Sequence, residues 1–173
     1  MEKLSRIKKG LSKKVEEELE QNFYAAEFEV PVEKLLKKIY KDEEGTGSNE
    51  ERVKRVERGA GPVKVNRKAG PKEKGADFIC SFTDGLGIPY NIAVQVKMWK
   101  GEAHDLRPLN QIEEAYDNHL NIVAGVVIMM QDSSTDDFEK KRKELEQKLH
   151  IPIVIIDKKS LIDIFLKYFP EIV

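Results

Sequence analysis

The chain has 173 residues, of which 40% are hydrophobic and 35% charged, with a formal net charge of −1. These values are typical of one globular domain with a small appendage and exclude an intrinsically disordered chain, while the single cysteine, Cys80, excludes an internal disulfide. No apolar run approaches the roughly 20 residues that span a bilayer, and the first twenty residues lack a signal-peptide core, so we expect a cytoplasmic protein without a membrane partner.

Two helices are predicted near the start of the chain. Apolar residues recur at spacings of three and four over about residues 2–22, which indicates an amphipathic helix: Leu4, Ile7, Leu11, Val15 and Leu19. A second helix is expected after Pro31 and ends near Tyr40, because proline is well tolerated at a helix start. We assign residues 1–30 to an N-terminal helical extension, which could also support a homodimer, and residues 31–173 to the main domain.

The middle of the chain is strongly basic. Residues 52–74 contain nine Lys or Arg residues against two acids, so this segment carries a charge of about +7. Glycine and proline interrupt it repeatedly, and we expect part of it to form a mobile basic hairpin. One-signed charge of this kind suits DNA phosphates, although charged loops are often only solvated. The candidate DNA-binding residues are Arg52, Arg55, Arg58, Lys64, Arg67, Lys68, Lys72 and Lys74.

The second half of the chain alternates between strands and helices. A β-hairpin is predicted from strands at 76–83 and 90–98 joined by a turn at 84–89. A helix, strand, helix, strand and helix follow at 106–119, 122–130, 135–149, 151–156 and 159–169. This order implies parallel strands joined by helical crossovers. The predicted fold class is therefore α/β, a three-layer core in which helices flank a mixed central sheet.

The hairpin is expected to bring three polar side chains together. Residues two apart on a strand face the same side, so Gln95 and Lys97 project together and Val94 and Val96 face the other side. A symmetric hairpin places the partner of Asp77 near residue 96, beside that pair. The alternative is that Gln95 and Lys97 merely line the solvated face of an edge strand.

A carboxylate, an amide oxygen and a lysine are the groups that phosphodiester hydrolysis needs. Oxygen ligands hold Mg²⁺, which polarises a phosphoryl group and acidifies a bound water, while an ammonium group offsets charge in the transition state. If Asp77, Gln95 and Lys97 converge, they could supply this chemistry.

Two short motifs carry a family resemblance. Gly75-Ala-Asp77, followed after a turn by Ala93-Val-Gln95-Val-Lys97, resembles the Mrr-like branch of the PD-(D/E)xK nucleases, and the order of elements over roughly residues 31–169 is similar. The resemblance implies a restriction-endonuclease-like fold and a metal-dependent DNA endonuclease that uses Mg²⁺ or Mn²⁺, with no organic cofactor. It also implies that Asp77 and Gln95 bind the metal and that Lys97 is the catalytic lysine, with glutamine in place of the acid usual in the wider superfamily.

The family usually adds an acid from the first core helix. Glu33 is the candidate catalytic residue for this position, and Glu51 is its rival. Either could equally be an ordinary exposed acid. Restriction or defence is the leading function; the alternatives are a resolvase selective for Holliday junctions and a non-catalytic DNA-binding protein that retains the fold.

Overall fold

The computed structural model describes residues 13, 29–40, 63–68, 74–97, 105–131 and 134–169 of the chain. Helices and strands follow one another along these residues in the order α1 Glu29–Tyr40, β1 Lys64–Arg67, β2 Phe78–Thr83, β3 Pro89–Lys97, α2 Arg107–Asn118, β4 Ile122–Met129, α3 Asp136–Leu149, β5 Ile153–Ile156 and α4 Lys158–Tyr168.

All five strands belong to one mixed sheet in the order β1-β2-β3-β4-β5. The pairs β1–β2 and β2–β3 are antiparallel, whereas β3–β4 and β4–β5 are parallel and are connected through α2 and α3. The hairpin pairs Phe78 with Val94 and Thr83 with Pro89 around a turn that begins at Asp84. The predicted hairpin followed by parallel crossovers is thereby confirmed.

Each face of the sheet has its own core, because successive side chains on a strand point to opposite faces. On the first face, Leu35 of α1 and Leu161 of α4 share a buried cluster with Phe78. On the second face, Leu109 of α2 shares a buried cluster with Ala93 of β3 and with residues of α3. The result is the expected three-layer α/β architecture, with α1 and α4 opposite α2 and α3.

The helices α3 and α4 both begin at a side-chain N-cap. Thr135 caps α3, its side chain accepting a hydrogen bond from the Phe138 amide at 3.3 Å. Asp157 caps α4 by accepting from the Ser160 amide at 2.8 Å. The predicted bounds of these helices, 135–149 and 159–169, differ from the observed ones by at most one residue at each end.

The basic segment contains a strand that the sequence pattern did not reveal. Residues 64–67 form β1, which pairs antiparallel with β2 from Lys64 opposite Ser81 to Arg67 opposite Phe78. Only Val65 of these four residues is buried, so the strand lacks the apolar alternation by which strands are usually recognised. These four residues therefore form an edge strand of the sheet, and residues 52–62 and 69–73 of the segment with the expected mobile hairpin lie outside the described residues.

The predicted helix at residues 2–22 lies outside the described residues, apart from Lys13, which is helical. The division into an extension at 1–30 and a domain at 31–173 stays a prediction; α1 itself begins at Glu29. Among the described residues, no helix is both long and apolar enough to cross a membrane.

The outer edge of β5 is capped by side chains of α3. The backbone amide of Ile153 donates to Glu146 Oε1 at 2.7 Å, and its carbonyl accepts from Arg142 Nη1 at 3.4 Å. Arg142 Nη1 also lies 2.9 Å from Glu146 Oε2. These groups of Ile153 face away from β4, because the neighbouring Pro152 carbonyl makes the ladder bond to Gly125.

Candidate active site

The candidate active site is built where β2 begins. Asp77 immediately precedes this strand, and its backbone joins both neighbours: its amide donates to the Val94 carbonyl at 3.0 Å and its carbonyl accepts from the Lys68 amide at 2.7 Å. The residue is 6% exposed. Backbone bonds on both sides therefore hold a buried carboxylate between β1 and β3.

The Asp77 carboxylate replaces a backbone carbonyl as hydrogen-bond acceptor next to the β2–β3 ladder. Its Oδ2 atom accepts hydrogen bonds from the Val96 backbone amide at 2.6 Å and from Gln95 Nε2 at 2.7 Å. The observed register, with Phe78 opposite Val94, sets Asp77 opposite residue 95, one position from the predicted partner near residue 96. The side chain thus satisfies an amide of β3 where the β2 strand has not yet begun.

Gln95 is a buried residue of a central strand. It is 1% exposed, and β3 pairs on both sides, with β2 and with β4. The alternative in which Gln95 and Lys97 line a solvated face of an edge strand is therefore wrong. Val94 and Val96 pack in the first-face core, as expected from strand alternation.

Within the described part of the chain, the carboxamide of Gln95 forms hydrogen bonds through its nitrogen but not through its oxygen. A carboxylate only accepts, so the contact with Asp77 identifies the amide nitrogen and leaves Oε1 on the other side. Gln95 Oε1 is buried and has no hydrogen-bond donor among the described residues. A buried acceptor without a donor is costly in a folded protein unless a ligand or an ion satisfies it.

The turn before Asp77 is pressed against α2. Gly75 has a φ of 83°, and a Cβ atom at this position would lie 2.2 Å from the carbonyl oxygen of Gln111 and 2.5 Å from the amide nitrogen of Ala115. Only glycine combines this backbone conformation with so close an approach. The Gly75-Ala-Asp77 motif therefore positions the carboxylate by anchoring its turn on a helix.

Lys97 lies on the same face of β3 as Gln95 by strand alternation and is half-buried. Asp105, just before α2, lies close enough for the Lys97 charge to act on it. Burial alone would raise the pKa of Asp105, but hydrogen bonds from the Arg107 backbone and guanidinium, with the charges of Arg107 and Lys97, lower it below its ordinary value. The Arg107 amide and Nε lie 2.9 Å and 2.5 Å from the Asp105 carboxylate.

Glu33 lies at the same end of the sheet as Asp77. Its carboxylate is 3.0 Å from Lys37 Nζ and 3.9 Å from Arg67 Nη1. Arg67 makes a closer pair with Glu29, at 2.7 Å from Nη2 and 3.1 Å from Nε. Arg67 is opposite Phe78 and points with Val65 to the first face, so the two acids of α1 lie over that face, whereas the side chains of Asp77 and Gln95 point to the second. A catalytic part for Glu33 stays a prediction.

The candidate DNA-binding residues divide into two groups. Lys64 and Lys74 are exposed, Lys68 is half-buried, and Arg67 is exposed but paired with Glu29. The rival acid Glu51 and four basic candidates lie outside the described residues: Arg52, Arg55, Arg58 and Lys72.

The residues of the site fit a hard divalent cation. Nowhere in the described part of the chain do three His, Cys, Asp or Glu side chains converge as ligands. A cation here would therefore rely on one carboxylate and on neutral oxygens, which Mg²⁺ and Mn²⁺ accept. Asp77 and the unsatisfied Gln95 Oε1 offer both.

Three polar residues near this end of the sheet are not among the predicted site residues. From the sequence, Gln111 could face the site or DNA or could be an ordinary exposed helical glutamine; the residue is half-buried and its Oε1 atom is buried. Glu29 and Asp105 were not considered. A signal existed for each acid, since Glu29 precedes Glu33 by one helical turn and Asp105 precedes an Arg-Pro pair at a helix start.

The chain matches a known protein family. The family model Mrr_cat, described as restriction endonuclease, matches residues 48–165, which is more than half of the chain. A comparison with curated proteins finds no match, and a comparison with solved structures finds none either.

Proposed function

The chain belongs to the Mrr-type restriction endonuclease family, and from this premise we propose that it is a Mg²⁺- or Mn²⁺-dependent endonuclease that hydrolyses phosphodiester bonds of DNA in restriction or defence. The observation that carries the metal-dependent part is the buried pair of Asp77 and Gln95, in which the glutamine oxygen has no donor among the described residues. A divalent cation is the kind of partner that satisfies an acceptor beside a carboxylate.

In this proposal Asp77 and Gln95 hold the cation. Their rigidity supports the role, because Asp77 is fixed by backbone bonds to β1 and β3 and Gln95 lies on a central strand. When bound, the cation supplies Lewis-acid activation of the scissile phosphate and of the attacking water. Rigid placement of both oxygens lowers the reorganisation needed to bind it.

Lys97 supplies a positive charge on the same face of β3. Its ammonium group orients the attacking water or offsets the charge that develops on the phosphoryl oxygens. Against the effect of burial, the charge of Lys97 contributes to the lowered pKa of Asp105, which precedes α2. Glu33 is proposed as the acid from the first core helix.

The DNA backbone is proposed to run along the basic side of the β1–β2 edge. Lys64 and Lys74 are exposed there, and Lys68 donates its backbone amide to Asp77, which links this edge directly to the site. Lysine and arginine contacts to phosphate supply affinity that does not depend on base sequence.

Plasmid nicking tests the proposal. Wild type, Asp77→Asn, Lys97→Met and the control Lys143→Met, an exposed lysine of α3, are incubated with supercoiled DNA and with a four-way junction, in Mg²⁺, Mn²⁺ or EDTA. We expect nicking by wild type and Lys143→Met only with metal, and a loss of at least about 100-fold in the two site variants, consistent with the effect of removing one electrostatic stabiliser.

DNA binding is measured in parallel by fluorescence anisotropy. Lys97→Met should bind almost as well as wild type, because the lysine acts in the transition state rather than in affinity. Cleavage of the junction alone would replace the restriction role by junction resolution. Binding without any cleavage on modified or unmodified DNA would contradict an enzymatic function.

A further inference from the structure

Two buried amide oxygens lie on the face of the sheet that α2 covers. One is Gln95 Oε1 on β3, and the other is Gln111 Oε1 on α2; both are inaccessible to solvent and without a hydrogen-bond donor among the described residues. One such atom can arise from imperfect packing. Two on elements that pack against each other, one of them in a side chain hydrogen-bonded to Asp77 through its amide nitrogen, would be satisfied together by a common partner.

The packing of α2 places Gln111 on the Asp77 side of the helix. The next residue, Ile112, packs on β4, since a Cβ atom on Gly125 would lie 2.6 Å from its Cγ2. Gln111 is about 100° around the helix from Ile112. Its backbone carbonyl contacts Gly75, two residues before Asp77. Gln111 therefore belongs to the side of α2 that meets the β2–β3 hairpin.

The position of Gln111 along the sheet also matches the site. Because β3 and β4 are parallel, the crossover helix α2 runs back over β3 from the end at Lys97, and its Leu109 packs with Ala93 of β3. A helix rises about 1.5 Å per residue and a strand about 3.3 Å. Four residues of helix, from Arg107 to Gln111, thus cover nearly the same length as the two strand residues from Lys97 back to Gln95.

We propose that Gln111 is a further residue of the divalent-cation site, where its Oε1 atom accepts from the hydration shell of the cation held by Asp77 and Gln95. This inference rests on the proposed function. Among the described residues, the proposed ligands include one carboxylate, that of Asp77. A cation with so few protein ligands keeps several bound waters, and these waters can donate hydrogen bonds to neutral acceptors such as a glutamine oxygen. Gln111 is a positioning residue in this arrangement, since it acts through the shell and not on the scissile phosphate.

The rival explanation is that Gln111 only packs between α2 and the hairpin. The two explanations differ in what an isosteric apolar replacement does. If the cation is the partner, Gln111→Met removes an unsatisfied acceptor from the metal-free protein and leaves its stability unchanged or higher. If the role is structural, the same change lowers the stability of the metal-free protein and leaves cation affinity unchanged.

The experiment measures Mn²⁺ binding to the full chain by isothermal titration calorimetry, with the melting temperature of each metal-free variant. The variants are Gln111→Met, Gln111→Glu, the matched control Asn110→Met at an exposed position of the same helix, and Asp77→Asn as the site control. We expect Mn²⁺ affinity to fall roughly 10-fold or more in Gln111→Met, as for other partners behind the direct ligands of a metal. Gln111→Glu should bind at least as tightly as wild type, because it keeps an oxygen acceptor and adds negative charge.

Two results overturn the inference in different ways. If wild type binds Mn²⁺, Asp77→Asn does not, and Gln111→Met binds like Asn110→Met, then Gln111 has no part in the site and the proposed function stands. If wild type itself shows no Mn²⁺ binding, both the inference and the metal-dependent function fail.

Discussion

The Oδ2 atom of Asp77 lies 2.6 Å from the backbone nitrogen of Val96. Asp77, which we propose binds the cation, thus also stabilises the sheet, because its side chain accepts a hydrogen bond from the Val96 amide at a point that precedes the first residue of β2. The same oxygen orients Gln95 through its side-chain nitrogen, at 2.7 Å. Replacing Asp77 therefore changes both stability and chemistry, and the two effects need to be separated.

Replacing Asp77 by alanine leaves the Val96 amide and Gln95 Nε2 buried without this acceptor. Each unsatisfied group costs about 1–3 kcal/mol, so Asp77→Ala should lower the free energy of unfolding by several kcal/mol. Asp77→Asn keeps one oxygen and should lose less. Urea unfolding measures the difference, and equal stability of the two variants would contradict a structural role for the carboxylate.

Gln95→Glu should weaken the metal-free protein and strengthen its response to cations. A second carboxylate beside Asp77 replaces a hydrogen bond by like-charge repulsion, and the lost bond alone costs about 1–3 kcal/mol. A divalent cation relieves that repulsion. The melting temperature should thus fall without Mn²⁺ and rise with Mn²⁺ by more than it does in wild type. Gln147→Glu, at an exposed position of α3, is the control; an equal Mn²⁺ response in both variants would count against a cation beside Gln95.

Glu29→Gln should increase DNA affinity. The change weakens the pair that holds Arg67 and removes a negative charge near the basic edge. Both side chains of the pair are partly exposed, at 36% and 25%, so the stability cost should stay within about 1 kcal/mol after solvent screening. DNA titrations at several salt concentrations should show that the plot of log binding constant against log salt concentration is steeper for Glu29→Gln than for wild type. One added phosphate contact changes this slope by about one unit.

The control for this change is Glu144→Gln, which removes an exposed acid of α3 and alters net charge equally. If both variants bind DNA with the same affinity and the same salt slope, Arg67 makes no phosphate contact that Glu29 restrains.

The hairpin turn should make stability fall in acid. Asp84 accepts hydrogen bonds from the Ile88 and Leu86 amides, both at 2.9 Å, and from the Tyr90 hydroxyl at 3.1 Å. The bond from the Ile88 amide is the main cause that lowers the pKa of Asp84, and it outweighs partial desolvation. Because the pKa of Asp84 is lower in the folded than in the unfolded protein, the ionised carboxylate stabilises the fold. This stabilisation is fully present above the unfolded-state pKa, near pH 4, and is lost as the pH falls through the folded-state pKa.

Asp84→Asn removes the charge that this contribution requires. We expect wild type to melt at a higher temperature than Asp84→Asn at pH 7, with the gap narrowing below about pH 4. Thermal melts from pH 7 to pH 2.5 measure it. A gap that stays constant across this range would show that the Asp84 charge does not contribute.

The sequence predicted the hairpin and the parallel crossovers, where the pattern of apolar residues fits only one kind of secondary structure. The hairpin and the parallel crossovers follow from apolar runs and turn residues, and the observed strands agree with them. β1 was missed because only Val65 of its four residues faces the core. Edge strands of this kind are defined by pairing and not by their own pattern.

The sequence predicted that Asp77, Gln95 and Lys97 lie close together but not that Asp77 and Gln95 are buried. Strand alternation placed Gln95 and Lys97 on one face, and the hairpin register placed Asp77 near them. Whether that face is solvated depends on α2, which packs over it only in the folded chain. Contacts such as Gly75 on Gln111 join residues 36 positions apart, and no local pattern encodes them.

The side chains of Arg142 and Glu146 form hydrogen bonds with the backbone carbonyl and amide of Ile153 that face away from β4. An incoming strand would have to displace both before it could extend the sheet beyond β5 at this point. Open strand edges are templates for cross-β aggregation, and charged side chains that cover them are a common protection. Strand addition at the start of β5 would first have to break both contacts, which disfavours edge-to-edge pairing of two copies at this point.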